Sequence, residues 1–232
     1  MSSRGKVSAV IPVRNGERYL AEALRSIVAQ TSPVLETVLI DGHSSDATIE
    51  IAERFAGVRI LTQQGPTLAD AYREGVEVAR GDLFAFLADD DVWSADKLER
   101  QLARLAGNPP ADACSGLTTF AIAPGDTAPP GFRHELLDGP RAEPVWESLL
   151  LPRAAWERVG PTRSAFGTTG DTDWLVRARD LGLRVAVVPH VVLYKRVHSA
   201  STAHTTAGAN ARVVASLRES IIRKRARTEG AE

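Results

Sequence analysis

Short apolar runs and helical apolar stripes alternate along the first half of the chain. Val7-Ser8-Ala9-Val10-Ile11-Pro12-Val13, Glu36-Thr37-Val38-Leu39-Ile40, Val58-Arg59-Ile60-Leu61 and Leu83-Phe84-Ala85-Phe86-Leu87 are brief, bounded and rich in β-branched or aromatic residues, which predicts strands. Between them, Leu20, Leu24, Ile27 and Val28 predict a helix over 17–30. Asp46 is suited to cap a helix running through Phe55, and Thr67 to cap one reaching Ala79 with Leu68, Ala71 and Val76 on its apolar side. Strands alternating with helices over short connections imply right-handed crossovers and a parallel sheet. A further helix is expected over 94–106, with Leu98, Leu102 and Leu105 on one face.

The pattern changes at Gly107-Asn108-Pro109-Pro110. From there to Pro144, proline and glycine recur, predicting short strands joined by long loops. The stretch 146–159 reads as partly helical. A helix over 171–181 has Gly182 as its C′ residue, and 184–188 and 191–197 read as strands. After position 209, Val213, Val214, Leu217 and Ile221 share one side of a helix that also carries Arg218, Arg223, Lys224, Arg225 and Arg227. The expected packing puts that apolar side on the domain and the basic side in solvent. The organisation that follows is a half over 1–107, a second half of the same domain over 108–205, and a basic helical tail over 206–232.

Composition bounds the function. The 232 residues are 44% hydrophobic and 25% charged, as in an ordinary globular protein. A formal net charge of −1 gives no general attraction to nucleic acid. The lone Cys114 excludes an internal disulfide and a multi-cysteine zinc site. The opening residues hold neither a membrane-length apolar run nor a cleavage pattern, so a cytoplasmic location is expected, peripheral at the inner membrane surface if the basic tail makes a weak contact there.

The chemistry gathers at strand ends. The run Leu83–Leu87 stops on Ala88-Asp89-Asp90-Asp91, and carboxyl ends of parallel strands are where open α/β sheets bind ligands. Packed carboxylates suit a divalent cation, as Mg²⁺ held by one or two carboxylates and substrate phosphates, or else a solvated acidic turn capping the helix that starts near Ser94. Asp41 ends the second strand, where such sheets often hold an acid that accepts from a nucleoside, though taken alone it reads as a turn residue. No G-x-G-x-x-G follows the first strand and no Walker A sequence is present, which argues against a dinucleotide enzyme and a P-loop NTPase.

Seven stretches in order carry a resemblance. They are Val10-Ile11-Pro12-Val13-Arg14-Asn15, Ile40-Asp41-Gly42-His43-Ser44-Ser45-Asp46-Ala47-Thr48, 71–81, 86–93, 153–160, Gly170-Asp171-Thr172-Asp173-Trp174 through Arg177, and 194–201. Across nearly the whole chain the sequence resembles a family 2 glycosyltransferase of the GT-A fold. The resemblance implies an α/β domain with a mostly parallel central sheet flanked by helices, a Rossmann-like nucleotide-binding half and an acceptor-binding half. It implies a nucleotide-diphospho-sugar donor, UDP-linked in the typical case, and transfer of a hexosyl or N-acetylhexosaminyl group. It places Pro12, Arg14, Asn15, Asp41, Arg73, Asp89 and Arg196 at the donor, Asp90 and His198 at Mn²⁺ or Mg²⁺, and Asp171 as the catalytic carboxylate. The acceptor stays open among a glycan, a lipid-linked glycan, a peptide and a small metabolite.

The sequence departs from the family pattern at Gly42 and Ala88, where the family usually has an acid, at Arg73, where it has an asparagine, and at Gly170, where it has a glutamate before the base. Arg73 reads equally as a phosphate contact and as a surface arginine. Asp171, at the start of a helix, suits a general base for an acceptor hydroxyl that attacks opposite the leaving group, which implies inversion; taken alone it also reads as an N-cap. Asp173, two residues on, points elsewhere and reads as structural. Trp93 and Trp174 read as core. The departures keep open a nucleotide-sugar-binding relative without turnover. A sugar-1-phosphate nucleotidyltransferase would need a glycine-rich basic loop after the first strand, which Arg14-Asn15-Gly16-Glu17 does not supply.

Overall fold

A computed structural model describes residues 5–142, 145–199 and 208–229. Pro144, Ser201, His204, residues 206–207 and 230–232 of the tail, and the side chain of Arg227 lie outside that description. One eight-stranded sheet runs through both halves, its strands in the order Val58–Thr62, Glu36–Asp41, Val7–Val13, Leu83–Phe86, Leu150–Pro152, Ala113–Ile122, Val185–Val197 and Val92–Trp93. Its first part is β1 (Val7–Val13), β2 (Glu36–Asp41), β3 (Val58–Thr62) and β4 (Leu83–Phe86), all parallel. Every residue of β1, β2 and β4 is buried, which is why they read as continuous apolar runs. Side chains alternate between two layers. Val7, Ala9, Ile11 and Val13 face α1 (Leu20–Val28), α2 (Thr48–Glu53) and α4 (Lys97–Leu105), while Val10, Phe84 and Phe86 face the layer of α3 (Leu68–Val78), α5 (Arg153–Val159) and α6 (Gly170–Asp180).

The helix starts differ from expectation by a turn or less. Residues 17–19 form a turn in which the Tyr19 and Leu20 amides donate to the Gly16 carbonyl, so α1 begins at Leu20. Asp46 caps one residue early: its carboxylate accepts from the Thr48 and Glu17 amides, and Ala47 is the N-cap of α2. Thr67 and Asp70 form a reciprocal capping box on α3, and Asp70 also accepts from Ser164 Oγ.

The second half corrects the sequence reading more strongly. Instead of short strands, 113–122 form one ten-residue strand, β6 (Ala113–Ile122). The two strands expected over 184–197 are one, β8 (Val185–Val197), with register shifts opposite Gly116 and Leu117. Pro189, which has no N–H to donate, falls at that irregularity. β7 (Leu150–Pro152) lies antiparallel to β4, and β5 (Val92–Trp93) antiparallel to β8. Short 3₁₀ turns complete this half: η1 (His134–Leu137), η2 (Trp146–Ser148) and η3 (Ser164–Thr169). Trp146, Trp156 and Trp174 stack with Phe84 and Phe86 inside, and Trp93 is buried on the other face. All four tryptophans are core; none lines the cleft described below.

The tail helix α7 (Ala209–Glu229) packs against α6 and η3 by the opposite face from the one expected. Ser216 and Ser220 are buried and donate to Asp173 and Asp180, and Arg163 and Arg223 reach Glu219 and Asp180. Val214, Leu217 and Ile221 face outward. The carboxylates of α6 select hydroxyls and arginines over apolar side chains.

Candidate active site

The carboxyl ends of β1 and β4, neighbours in the sheet, open into a cleft of about 620 Å³. Pro12, Arg14, Asn15, Asp89, Asp90, Asp171, Arg196 and His198 all line it, drawn from both halves of the chain. The turn after β1 approaches closely because of Gly16, where a Cβ would lie 2.5 Å from Asp89 Oδ2. Asn15 adopts a left-handed φ of 56°, which asparagine tolerates. Its amide donates to Ser44 Oγ, and its Oδ1 accepts from the Ser45 amide. That brace fixes the loop after β2 beside the cleft.

Two expected donor residues are not brought to the cleft. Asp41 is buried at the end of β2 and accepts from the Ser44 amide, so its carboxylate shapes the 41–45 turn. Arg73 lies outside the lining and is engaged on its own helix by Asp70, Glu74 and Glu77.

The acidic triplet divides into three environments. Asp90 Oδ2 lies 2.9 Å from His198 Nε2. Asp89 has burial as its largest influence, reinforced by the adjacent Asp90 charge, and is pushed up to about 7. Asp91 is fully buried beneath them and accepts from Lys195 Nζ at 2.6 Å and from the Arg196 amide at 2.9 Å. Burial works against the Lys195 ammonium, but Asp91 and Glu147 outweigh it and push it up, so Lys195 stays charged with Asp91 as counter-ion. Arg196 donates to Glu22 and stacks over the Tyr19 ring at 4.2 Å, and the Tyr19 ring lies 5.3 Å from that of His198.

Asp171 sits on the first turn of α6 with Thr172 as its nearest donor. Burial, then the neighbouring Glu147 carboxylate, raise it to about 6, a value suited to accepting a proton near neutrality. Asp173 behaves differently, as the sequence anticipated. It is fully buried and locked by Arg163, Arg177 and Ser216, away from the cleft. Gly170 has a packing reason: a Cβ there would lie 2.5 Å from Ala69 Cβ on α3. No glutamate fits at 170 without moving α3.

Sequence reasoning missed Glu147, Lys195, Tyr19 and Tyr72, which line the cleft, and the aromatic wall of Phe120 and Phe132. The one available signal was the charge of Glu147 set among Val145, Trp146 and Leu149; Lys195 carried none, since Arg196 follows it.

Among the described residues no group of three or more His, Cys, Asp or Glu side chains forms a metal cage. The Asp90–His198 pair with Asp89 beside it is an oxygen and imidazole donor set with surplus negative charge. It suits an Mn²⁺ or Mg²⁺ that draws its remaining ligands from phosphate and water.

The sequence model of "Glycosyl transferase family 2" matches residues 8–155. A PGL/p-HBAD biosynthesis glycosyltransferase of Mycobacterium bovis is 39% identical over 117 residues, 47% of this chain and 45% of that protein. The matched region thus spans less than half the length of that curated relative. Staphylococcus aureus TarS 1-349 in complex with UDP-GlcNAc superposes with a TM-score of 0.69 over 94% of this chain and 66% of that one, at 16% identity. The mannosyltransferase PcManGT from Pyrobaculum calidifontis in complex with GDP-Man and Mn2+ gives 0.63 over 84% and 57%, at 22% identity. The fold is of the GT-A type, and by the match over residues 8–155 the chain belongs to glycosyl transferase family 2.

Proposed function

We propose that the cleft binds a nucleotide-diphospho-sugar, UDP-linked, and transfers its hexosyl or N-acetylhexosaminyl group with inversion to an acceptor hydroxyl. The observation that carries this is the meeting in one cleft of the Asp90–His198 pair and the Asp171 carboxylate, the latter raised to about 6. Nucleotide-sugar complexes of TarS and PcManGT support the donor class, and the Mn2+ in the latter supports a divalent ion.

In this reading Pro12, Arg14 and Asn15 hold the nucleotide at the end of β1, and Arg196 adds positive charge toward the diphosphate. Asp90 and His198 hold the ion, with Asp89 beside them. When bound, that ion supplies charge stabilisation to the leaving diphosphate. Asp171 takes the proton from the acceptor hydroxyl, which attacks the anomeric carbon on the face opposite the diphosphate. The sugar–phosphate bond breaks as the new glycosidic bond forms, and the configuration inverts. The apolar wall of Phe120 and Phe132 limits water access to that side.

Calorimetry with a panel of nucleotide sugars, with and without Mn²⁺, tests the donor half. The expected result is one preferred nucleotide diphosphate sugar whose affinity rises with Mn²⁺ and falls in Asp90→Ala. Equal affinity in Asp90→Ala with metal present removes the ion from this site.

A further inference from the structure

Helix α7 is inverted relative to an ordinary surface helix, whose apolar stripe faces the core. Its buried positions are Ser216 and Ser220, bonded to Asp173 and Asp180 on α6. Its apolar residues face outward: Val214 is 45% exposed, Leu217 40% and Ile221 52%, with Ile222 beside them at 66%. Spacing of three and four residues places Val214, Leu217 and Ile221 on one stripe. Arg218 and Arg225, seven residues apart, run along the same outward side. Both are exposed, and neither has a carboxylate partner among the described residues. The helix sequence holds six basic and two acidic residues in a chain whose formal net charge is −1.

Charge selects the occupant of this face. A second copy docked across a two-fold axis would set the same arginines against each other. A neutral apolar partner would desolvate them without compensation. An anionic lipid surface satisfies both features, since apolar side chains enter the headgroup boundary while cations meet the phosphates. We propose that the outward face of α7 docks on an anionic lipid surface. The inner face of α7 packs on η3 and α6, which carry Thr168 and Asp171 into the cleft, so the outward face is free of the cleft lining. The docking stands apart from the transfer chemistry and is tested without it.

The test is co-sedimentation of the full chain with vesicles of phosphatidylcholine alone and of phosphatidylcholine mixed equally with phosphatidylglycerol. The expected result is binding to the mixed vesicles only, weakened by added salt. The double variant Leu217→Ser/Ile221→Ser should lose it. Arg218→Glu/Arg225→Glu should reduce it about thirty-fold or more. Both variants should keep the wild-type melting curve and nucleotide-sugar affinity, because the buried face of α7 is untouched. Absence of binding by the folded wild type, equal binding to neutral vesicles, or binding unchanged by both variants would overturn the proposal. So would a dimer in solution that Leu217→Ser/Ile221→Ser dissociates and mixed vesicles do not displace.

Discussion

Asp173→Asn separates the structural acid of α6 from the one assigned to chemistry. Asp173 has no exposed surface and accepts from Arg163 on both oxygens, from Arg177 at 3.0 Å and from Ser216 at 2.9 Å. Removing one partner of a buried ion pair costs ~3–5 kcal/mol, chiefly through the charge left behind. Arg163 is 36% exposed and keeps Glu219, so its charge is not stranded. Arg177 is only 13% exposed and has no second acid among the described residues, so the loss falls at the lower end, about 3 kcal/mol. For a chain of this size that lowers the melting temperature by about 6–12 °C. Thermal unfolding followed by circular dichroism measures it, and calorimetry well below the transition should give unchanged donor affinity. A melting temperature within about 2 °C of wild type would refute the claim that this carboxylate fastens η3, α6 and α7 together.

Lys97 is fully buried, bonded to Gln101 Oε1 and the carbonyls of Ser148 and Leu149, and burial lowers it to about 7. The unfolded chain therefore binds the extra proton between about 7 and 10.5, so this residue's contribution to stability rises with pH across that window and its penalty is full below it. Denaturant unfolding should show wild type gaining on Lys97→Met between pH about 7 and about 9; parallel curves would contradict it. Asp171, raised to about 6, must be deprotonated to act, so the transfer rate should fall as pH drops through about 6 and level off above it. A pH–rate profile flat across that range would remove Asp171 from the base role.

Legibility in the sequence followed burial. β1, β2 and β4 are covered on both faces, so their composition alone marked them, and the acids at the end of β4 could be placed at the ligand edge. β6 was hidden by the prolines and glycines around it, because the strand carries Gly116 at a bulge and alternates with polar residues. The direction of α7 was illegible because periodicity finds an apolar stripe but not what opposes it. The carboxylates Asp173 and Asp180, more than thirty positions away, decide that the serines turn inward. Gly170 looked like a lost functional acid, but the structure gives it a steric cause at Ala69 on another helix. Glu147 and Lys195 reach the cleft from separate elements and meet at 3.5 Å, a pairing that no local spacing encodes.

The most direct test of the central claim is single-turnover transfer by Asp171→Asn. Asparagine keeps the size of the side chain, and only Thr172 among the described residues bonds to this carboxylate, so folding should survive. Loss of a general base lowers the rate ~10²–10⁴-fold. The account predicts a fall in that range with donor affinity and melting temperature unchanged. Transfer near the wild-type rate, on a preferred donor bound as tightly as before, would contradict it.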